Sequence, residues 1–465
     1  MARILYWNVN NFSNEKIALN TNKRSRDDME ANSGPRGPVH RQMIRSTLRP
    51  IDPNTGGAVV LDFIVVVEVF QRMGPANEGQ LVGGNAEIGC CALYDYIQAQ
   101  IPGNWGMVPP VVSGQNGRRE GIAVFYNTNN WYFLGPATWP AAYPAAYHVR
   151  LPNRVIPGGY AYDPNPAAAR PERRSAGQWQ FQANVPPGFV GPAPLVQFPG
   201  ATFRKPWLTA FSPIGTPNTL VRIMSLHTTP NDVAGAYADQ ATTNLANVHD
   251  MTARAPDAAN QTDVIVGDFN VDNLNAANFL AGGPFASLIG VGPGAIATPY
   301  TPLVRPPAGL NVMYNSYYHT HGRSASNIPG QAPARIADDN PIPPPNVLEE
   351  GHYPGLEYSD LSIDNALVRY QGGAAAPGAG PRTTILARAR QQPYAAPAGP
   401  PVPMPMLGTY QANVYMNETI GILVNNFNAN AMLAALNDIN EHFRDWDNYG
   451  LVYSVSDHFA VIFDV

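Results

Sequence analysis

The 465-residue sequence has two cysteines, three lysines (Lys16, Lys23 and Lys205) and only 14% charged residues. Cys90 and Cys91 are neighbours in the chain, a placement unsuited to an ordinary disulfide. A disulfide framework and a thiolate metal centre are therefore both excluded, and the usage fits folding in a reducing compartment. The net charge of −5 leaves no general basic surface for salt-driven nucleic-acid binding. An enzyme that holds a nucleic acid in a local groove stays open. No run approaches the ~18 apolar residues of a membrane span. The opening MARILYWNVNNF lacks the apolar core and small-residue cleavage site of a signal peptide. Cytoplasmic synthesis is the expectation, with a strand beginning almost at residue 1.

Proline and glycine are plentiful instead, at 47 and 42 residues. Proline at this level is about twice the usual ~5%, which rules out an uninterrupted helical bundle because interior proline breaks helices. With 45% hydrophobic and 10% aromatic residues, the chain has the means to build a core rather than stay disordered. Short β-branched runs predict strands at Ile4–Val9, Val59–Val69, Gly121–Tyr126, Leu220–Leu226, Val264–Gly267, Ser362–Val368 and Leu451–Val465. Helices are expected near Ala86–Ala99, Asp232–Ala253 (Asp232 as N-cap) and Ala429–Arg444. Segments at about 13–57, 136–200, 281–355 and 372–408 are polar or rich in Pro, Ala and Gly and read as loops. Strands continue on both sides of each, so the expectation is one domain over 1–465 with long insertions. Length alone would have suggested two or three domains.

Six predicted strands end in residues suited to phosphate or metal chemistry: Asn8, Glu68, His227, the Asp268/Asn270 pair, Asp364 and the Asp457/His458 pair. Polar groups at strand ends build sites on a rigid scaffold. In VIVGDFNVD, Asp268 and Asn270 are two apart and share a side of an extended segment, and Gly267 is expected to permit a tight turn. His319 and His321 alternate in YYHTHG without a nearby carboxylate cluster and read as an exposed loop.

The stretches ILYWNVNNF, IVVVEVF, RREGIAVFY, FRKP, MSLHTTPND, VIVGDFNVD, LSIDNALV and VSDHFAVIF resemble the endonuclease/exonuclease/phosphatase superfamily, in the style of deoxyribonuclease I. The resemblance implies a four-layer α/β sandwich, two packed mixed sheets flanked by helices, with the site at one rim. It implies that Asn8, Glu68 and Asp457 hold a divalent metal, Mg²⁺ with Mn²⁺ or Ca²⁺ as alternatives. It makes Glu120 the orienting partner of His227 and Asp364 that of His458. Asp268 would position water or metal, Asn270 would stabilise charge on the phosphate, and Arg204 would bind it. The implied activity is a metal-dependent DNA endonuclease using in-line water attack.

Two alternatives stand beside it. One is a sphingomyelinase-like phospholipid phosphodiesterase, with Trp131, Trp139, Tyr143 and Tyr147 facing the membrane. The other is a non-catalytic binding protein that docks partners on its Pro-rich insertions. A free nuclease endangers its own cell, so a leaderless exported toxin or effector, or sequestration by an inhibitor protein, is a further expectation. Nothing in the sequence sets the oligomeric state.

Overall fold

A computed structural model describes residues 2–13, 59–70, 78–115, 119–135, 179–199, 204–216, 218–231, 235–273, 275–304, 363–375, 456, 458 and 460–465. It also describes Lys16, Ile44, Thr47 and Leu48, and the backbone alone of several short strands. Among the described residues, seventeen strands run in chain order. They are β1 (Arg3–Phe12), β2 (Phe63–Phe70), β3 (Trp105–Ser113), β4 (Glu120–Asn127), β5 (Trp131–Gly135), β6 (Val149–Leu151), β7 (Arg154–Ile156), β8 (Trp207–Pro213) and β9 (Thr219–His227). Then come β10 (Asn260–Asp268), β11 (Thr301–Pro302), β12 (Asp364–Gly372), β13 (Arg382–Leu386), β14 (Pro393–Ala395), β15 (Pro401–Pro403), β16 (Thr409–Gln411) and β17 (Ala460–Asp464). The α-helices among the described residues are α1 (Asn85–Gln100), α2 (Tyr237–Asn244) and α3 (His249–Thr252).

Two sheets carry the fold. One has the order β16-β13-β17-β1-β2-β4-β3, the other β11-β12-β10-β9-β8-β5. Each is mixed: β1 and β2 are parallel in the first, β9 and β10 in the second, with antiparallel strands on either side. Strands buried on both faces read as continuous apolar runs, which is why FIVVVEVF and DVIVGD stand out in the sequence. Phe63 and Tyr126 meet Phe211 across the inter-sheet layer, at ring centroid distances of 4.7 and 5.3 Å. On the outer face of the first sheet, Ala86, Cys90, Leu93 and Ile97 of α1 pack with Leu5, Trp7, Ile64 and Val66. On the outer face of the second, Ala238, Ala241 and Met251 pack with Met224, Leu226, Ile265 and Leu367. Each fully buried aliphatic chain of this kind contributes about 1.5–3 kcal/mol. The layers are therefore helix, sheet, sheet, helix, the four-layer sandwich expected.

Several expected elements shift. The strand expected from Val59 begins at Phe63, and that expected from Ser362 begins at Asp364. The helix expected over Asp232–Ala253 is α2, a 3-10 turn at Leu245–Asn247 and α3. Its first turn is capped by Asn231, whose Oδ1 accepts from Ala238 N (2.8 Å); Asp232 lies outside the described residues, as does 429–444. β3 was not expected because Pro109 and Pro110 interrupt it, but it lies at a sheet edge, where proline is tolerated. Parts of the expected insertions belong to the scaffold. Phe181, Phe198, Phe285, Leu288 and Tyr300 lie in the outer core, and β13 pairs with β17 inside the main sheet. Gly267 does not turn the chain: it lies within β10, and a Cβ there would sit 2.0 Å from the Leu226 carbonyl oxygen. Close strand approach is what requires glycine.

Candidate active site

The carboxyl ends of both parallel pairs reach the same rim. β1 and β2 end near Asn8 and Glu68; β9 and β10 end at His227 and Asp268. The antiparallel neighbours start there: β4 at Glu120, β12 at Asp364, and β17 just after His458. Register does the placing. Asp268 is paired with His227 on one side and Asp364 on the other, so three side chains stand in a row at strand spacing, about 4.8 Å. β1 and β2 both slip register here, between Asn8 and Phe12 and, through the β4 ladder, between Val66 and Val69. Bulges of this kind re-aim side chains beside active sites. Glu68 (φ 59°) and Asn270 (φ 49°) both sit in the left-handed region, a cost of order 1 kcal/mol each held by the surrounding bonds.

Two carboxylate–imidazole pairs result. His227 Nδ1 lies 2.7 Å from Glu120 Oε1, and His458 Nδ1 lies 2.8 Å from Asp364 Oδ2. An Nδ1–H given to each carboxylate fixes the tautomer and leaves Nε2 facing the site. Both Nε2 atoms lie 3.5 Å from Asp268 Oδ2, and that of His227 is also 3.6 Å from Glu68 Oε1. These gaps exceed a direct hydrogen bond, and a lone pair facing a carboxylate calls for a proton or cation between them. Asn8 Nδ2 donates to Glu68 Oε1 and Asp268 Oδ2 and meets His458 Nε2, each at 3.2 Å.

Arg204 belongs to the first pair. Its Nη2 is 3.1 Å from Glu120 Oε2, and its Nη1 is 2.8 Å from His227 Nε2 and 3.1 Å from Nδ1. Contact with both ring nitrogens places the guanidinium over the ring rather than on one lone pair. Burial, then the Arg204 charge, lowers His227 to about 4, with Asp268 and Glu68 opposing. Burial raises Glu120 to about 7 against the pull of Arg204. Asp268 is raised to about 6 by burial, with both imidazoles opposing. Burial and then the charges of Asp364 and Asp268 push the Tyr6 phenol well above its ordinary value, so it stays protonated.

Sequence-expected residues meet here with two changes of detail. The Asn8 oxygen accepts from Asn10 N (3.0 Å), so the face of Asn8 turned to the site is its donor. Asn270 gives its N–H to Asp268 Oδ1 (2.8 Å) and its Nδ2 to the Thr228 carbonyl (3.0 Å), so it braces the loop around Asp268. Asp457 lies outside the described residues, as do His319, His321, Trp139, Tyr143 and Tyr147. Trp131 is buried and gives its indole N–H to Asp62 Oδ1 (2.8 Å), so it faces no membrane. Sequence reasoning missed the supports: Ser456 Oγ donates to Asn8 O (2.5 Å) and accepts from His458 N (3.0 Å), and Trp7 Nε1 donates to His458 O (3.0 Å). Ser456 stands inside the SDH triplet, which was its available signal.

Among the described residues, two groups could hold a cation: Glu68, Glu120 and His227, and Asp268, Asp364 and His458. Their oxygen-rich donors suit a hard divalent ion, and the partly exposed Glu68 is open to it.

The fold is a four-layer α/β sandwich of two mixed sheets with helices outside. The chain is similar in structure to an endonuclease/exonuclease/phosphatase family protein from Bacteroides thetaiotaomicron, with 10% identity, coverage of 99% of this chain and 96% of that one, and a TM-score of 0.40. It is similar to sphingomyelinase C from Streptomyces griseocarneus (12% identity, 99% and 98% coverage, TM-score 0.39). It is also similar to humanized TDP2 of D. rerio (10%, 100% and 99%, TM-score 0.36). No protein-family model and no curated protein matches the chain. At these identities and scores the likeness says nothing of substrate. Among the described residues no helix is long and apolar enough to cross a membrane.

Proposed function

We propose that this chain is a divalent-metal-dependent phosphodiester hydrolase that cleaves DNA internally. The observation that carries the reading is the convergence of two buried carboxylate–imidazole pairs on Asp268, 3.5 Å from each Nε2. Glu68, Asp268 and Asp364 would hold the metal, with Asp457 as a further ligand. When bound, the metal neutralises negative charge that develops on the phosphate.

The chain's own groups divide the remaining work. His227 is the general base: its lowered basicity keeps Nε2 unprotonated, and Glu120 holds Nδ1–H. Asp268 orients the water whose proton passes to Nε2. His458 would act as the imidazolium, its Nδ1–H held by Asp364, and would pass its Nε2 proton to the leaving oxygen. Arg204 moves from the imidazole to a phosphate oxygen, where its planar fork binds in two places. Water attacks in line, the P–O bond opposite breaks, and no covalent intermediate forms. DNA is preferred to a phospholipid because Trp131, one of the aromatic residues that a membrane reading needs outside, is buried.

Supercoiled plasmid, single-stranded RNA and sphingomyelin liposomes, each incubated with Mg²⁺ or with EDTA, test this. Plasmid nicking that EDTA abolishes is the expected result. Choline-phosphate release without nicking would move the substrate to lipid, RNA cleavage alone would move it to RNA, and no product in any arm would favour a binding protein.

A further inference from the structure

Tyr6 stands behind the Asp364–His458 pair, and the mechanism above makes no use of it. It is two positions before Asn8 on β1, so both side chains point to the inward face. The ring is fully buried, and among the described residues its hydroxyl has no partner of regular hydrogen-bond geometry. The carboxylate that acts most strongly on it is Asp364, which also holds His458 Nδ1 at 2.8 Å. Its two neighbours along the strand address the same histidine: Trp7 Nε1 bonds the His458 carbonyl at 3.0 Å, and Asn8 Nδ2 lies 3.2 Å from Nε2. Three successive residues of β1 thus converge on one pair. Phenylalanine would fill the same space and leave no buried hydroxyl to satisfy. The oxygen is therefore the feature that calls for a role.

We propose that Tyr6 is a positioning residue: its hydroxyl donates to Asp364 and holds that carboxylate against His458 Nδ1. The orientation of His458 Nε2 toward the substrate phosphate follows from that hold. The kinetic consequence rests on the hydrolytic reading of the site; the structural consequence does not.

Tyr6→Phe removes one oxygen and keeps the ring. Losing a group that orients a site side chain costs about 10–100-fold in activity. We expect kcat on the cleaved substrate to fall by about tenfold, at the lower end of that range, with KM within about twofold. The second readout needs no substrate. In ¹⁵N-histidine-labelled protein, the His458 Nδ1–H proton, assigned by its loss in His458→Ala, should resonate at low field and move upfield in Tyr6→Phe. Uniform 3-fluorotyrosine labelling, which keeps the hydroxyl but makes it more acidic, should shift the same resonance if Tyr6→Phe does not fold. An unchanged kcat with an unmoved resonance would overturn the role of Tyr6. A moved resonance in a protein that cleaves no phosphodiester would uphold the contact while rejecting the hydrolytic reading.

Discussion

At the scale of single residues, the two imidazoles have unequal surroundings. His227 lies under the Arg204 guanidinium and is held neutral, whereas His458 meets Asp364 and Asn8. Replacing either with alanine should lower turnover by about 10²–10⁴-fold, the usual range for general acid–base groups, and plasmid-nicking rates at saturating Mg²⁺ measure it. Circular dichroism and melting temperature should stay near the parental values, because both rings sit at the rim rather than in a core cluster. Glu120→Gln keeps the shape but weakens the hold on Nδ1, so its loss should lie between the parental rate and that of His227→Ala. Gly267 is a different kind of residue, needed for packing rather than chemistry. A methyl group there meets the Leu226 backbone oxygen at 2.0 Å, so Gly267→Ala must part β9 from β10. Overpacking of this kind costs about 1–3 kcal/mol, read as a lower urea midpoint with an unchanged denaturant slope.

At the scale of elements, the two sheets repeat one plan. In each, a parallel pair is flanked by antiparallel strands, and the carboxyl ends of the pair point to the site. Asn8 on β1 corresponds to His227 on β9, Glu68 to Asp268, and Glu120 at the start of β4 to Asp364 at the start of β12. Arg204 precedes β8 as His458 precedes β17, and each meets the carboxylate of the opposite sheet. Away from the site, the same register builds a lock. Arg222, Asp263 and Arg369 form a row across β9, β10 and β12, with Asp263 accepting from Arg222 at 2.7 and 3.0 Å and from Arg369 at 2.6 Å. Asp263 is fully buried. Asp263→Asn leaves buried Arg369 without this countercharge and Arg222 with only the partly exposed Asp257, 3.7 Å away, a loss of about 3–5 kcal/mol. Equilibrium urea unfolding should show it; a variant as stable as the parent would mean that the row is neutralised elsewhere.

At the scale of the whole molecule, the proposed site should make stability depend on pH and on metal together. Glu120 and Asp268 are raised to about 7 and about 6, so the folded state holds their protons longer than the unfolded chain does. Their stabilising share is present at acid pH and is lost as pH rises through those values. His227, lowered to about 4, works the other way: its share grows as pH rises from about 4 to its unfolded value near 6.5. Two groups against one give a net fall in stability from about pH 4.5 to 7 in EDTA. A divalent ion prefers the ionised carboxylates and stabilises the folded state by mass action. The gain in melting temperature on adding Mg²⁺ should therefore be larger at pH 7.5 than at pH 5. Scanning calorimetry at both pH values, with and without EDTA, checks the sign; an equal gain at both would count against these carboxylates as ligands.

Much of this was legible before any coordinates. Local sequence sufficed for α1 and for the cores of β1, β2, β4, β9, β10 and β12, because strands covered on both faces must be apolar throughout. It also marked the polar strand ends, since a charged residue closing such a run has few structural reasons to be there. β3 was hidden by Pro109 and Pro110, which only an edge position tolerates, and β13 by a composition that reads as loop. The order of strands, and hence the meeting of Glu120 with His227 and of Asp364 with His458, depends on contacts 107 and 94 residues apart in the chain. No local pattern encodes such pairs. The sequence by itself determined which side chains were available and which strands could be buried. The tertiary structure alone decided which atom of each side chain faces the site: the donor of Asn8 and Nε2 of both histidines. Side-chain direction follows from strand register and bulges, and register is set by packing between segments that are distant along the chain.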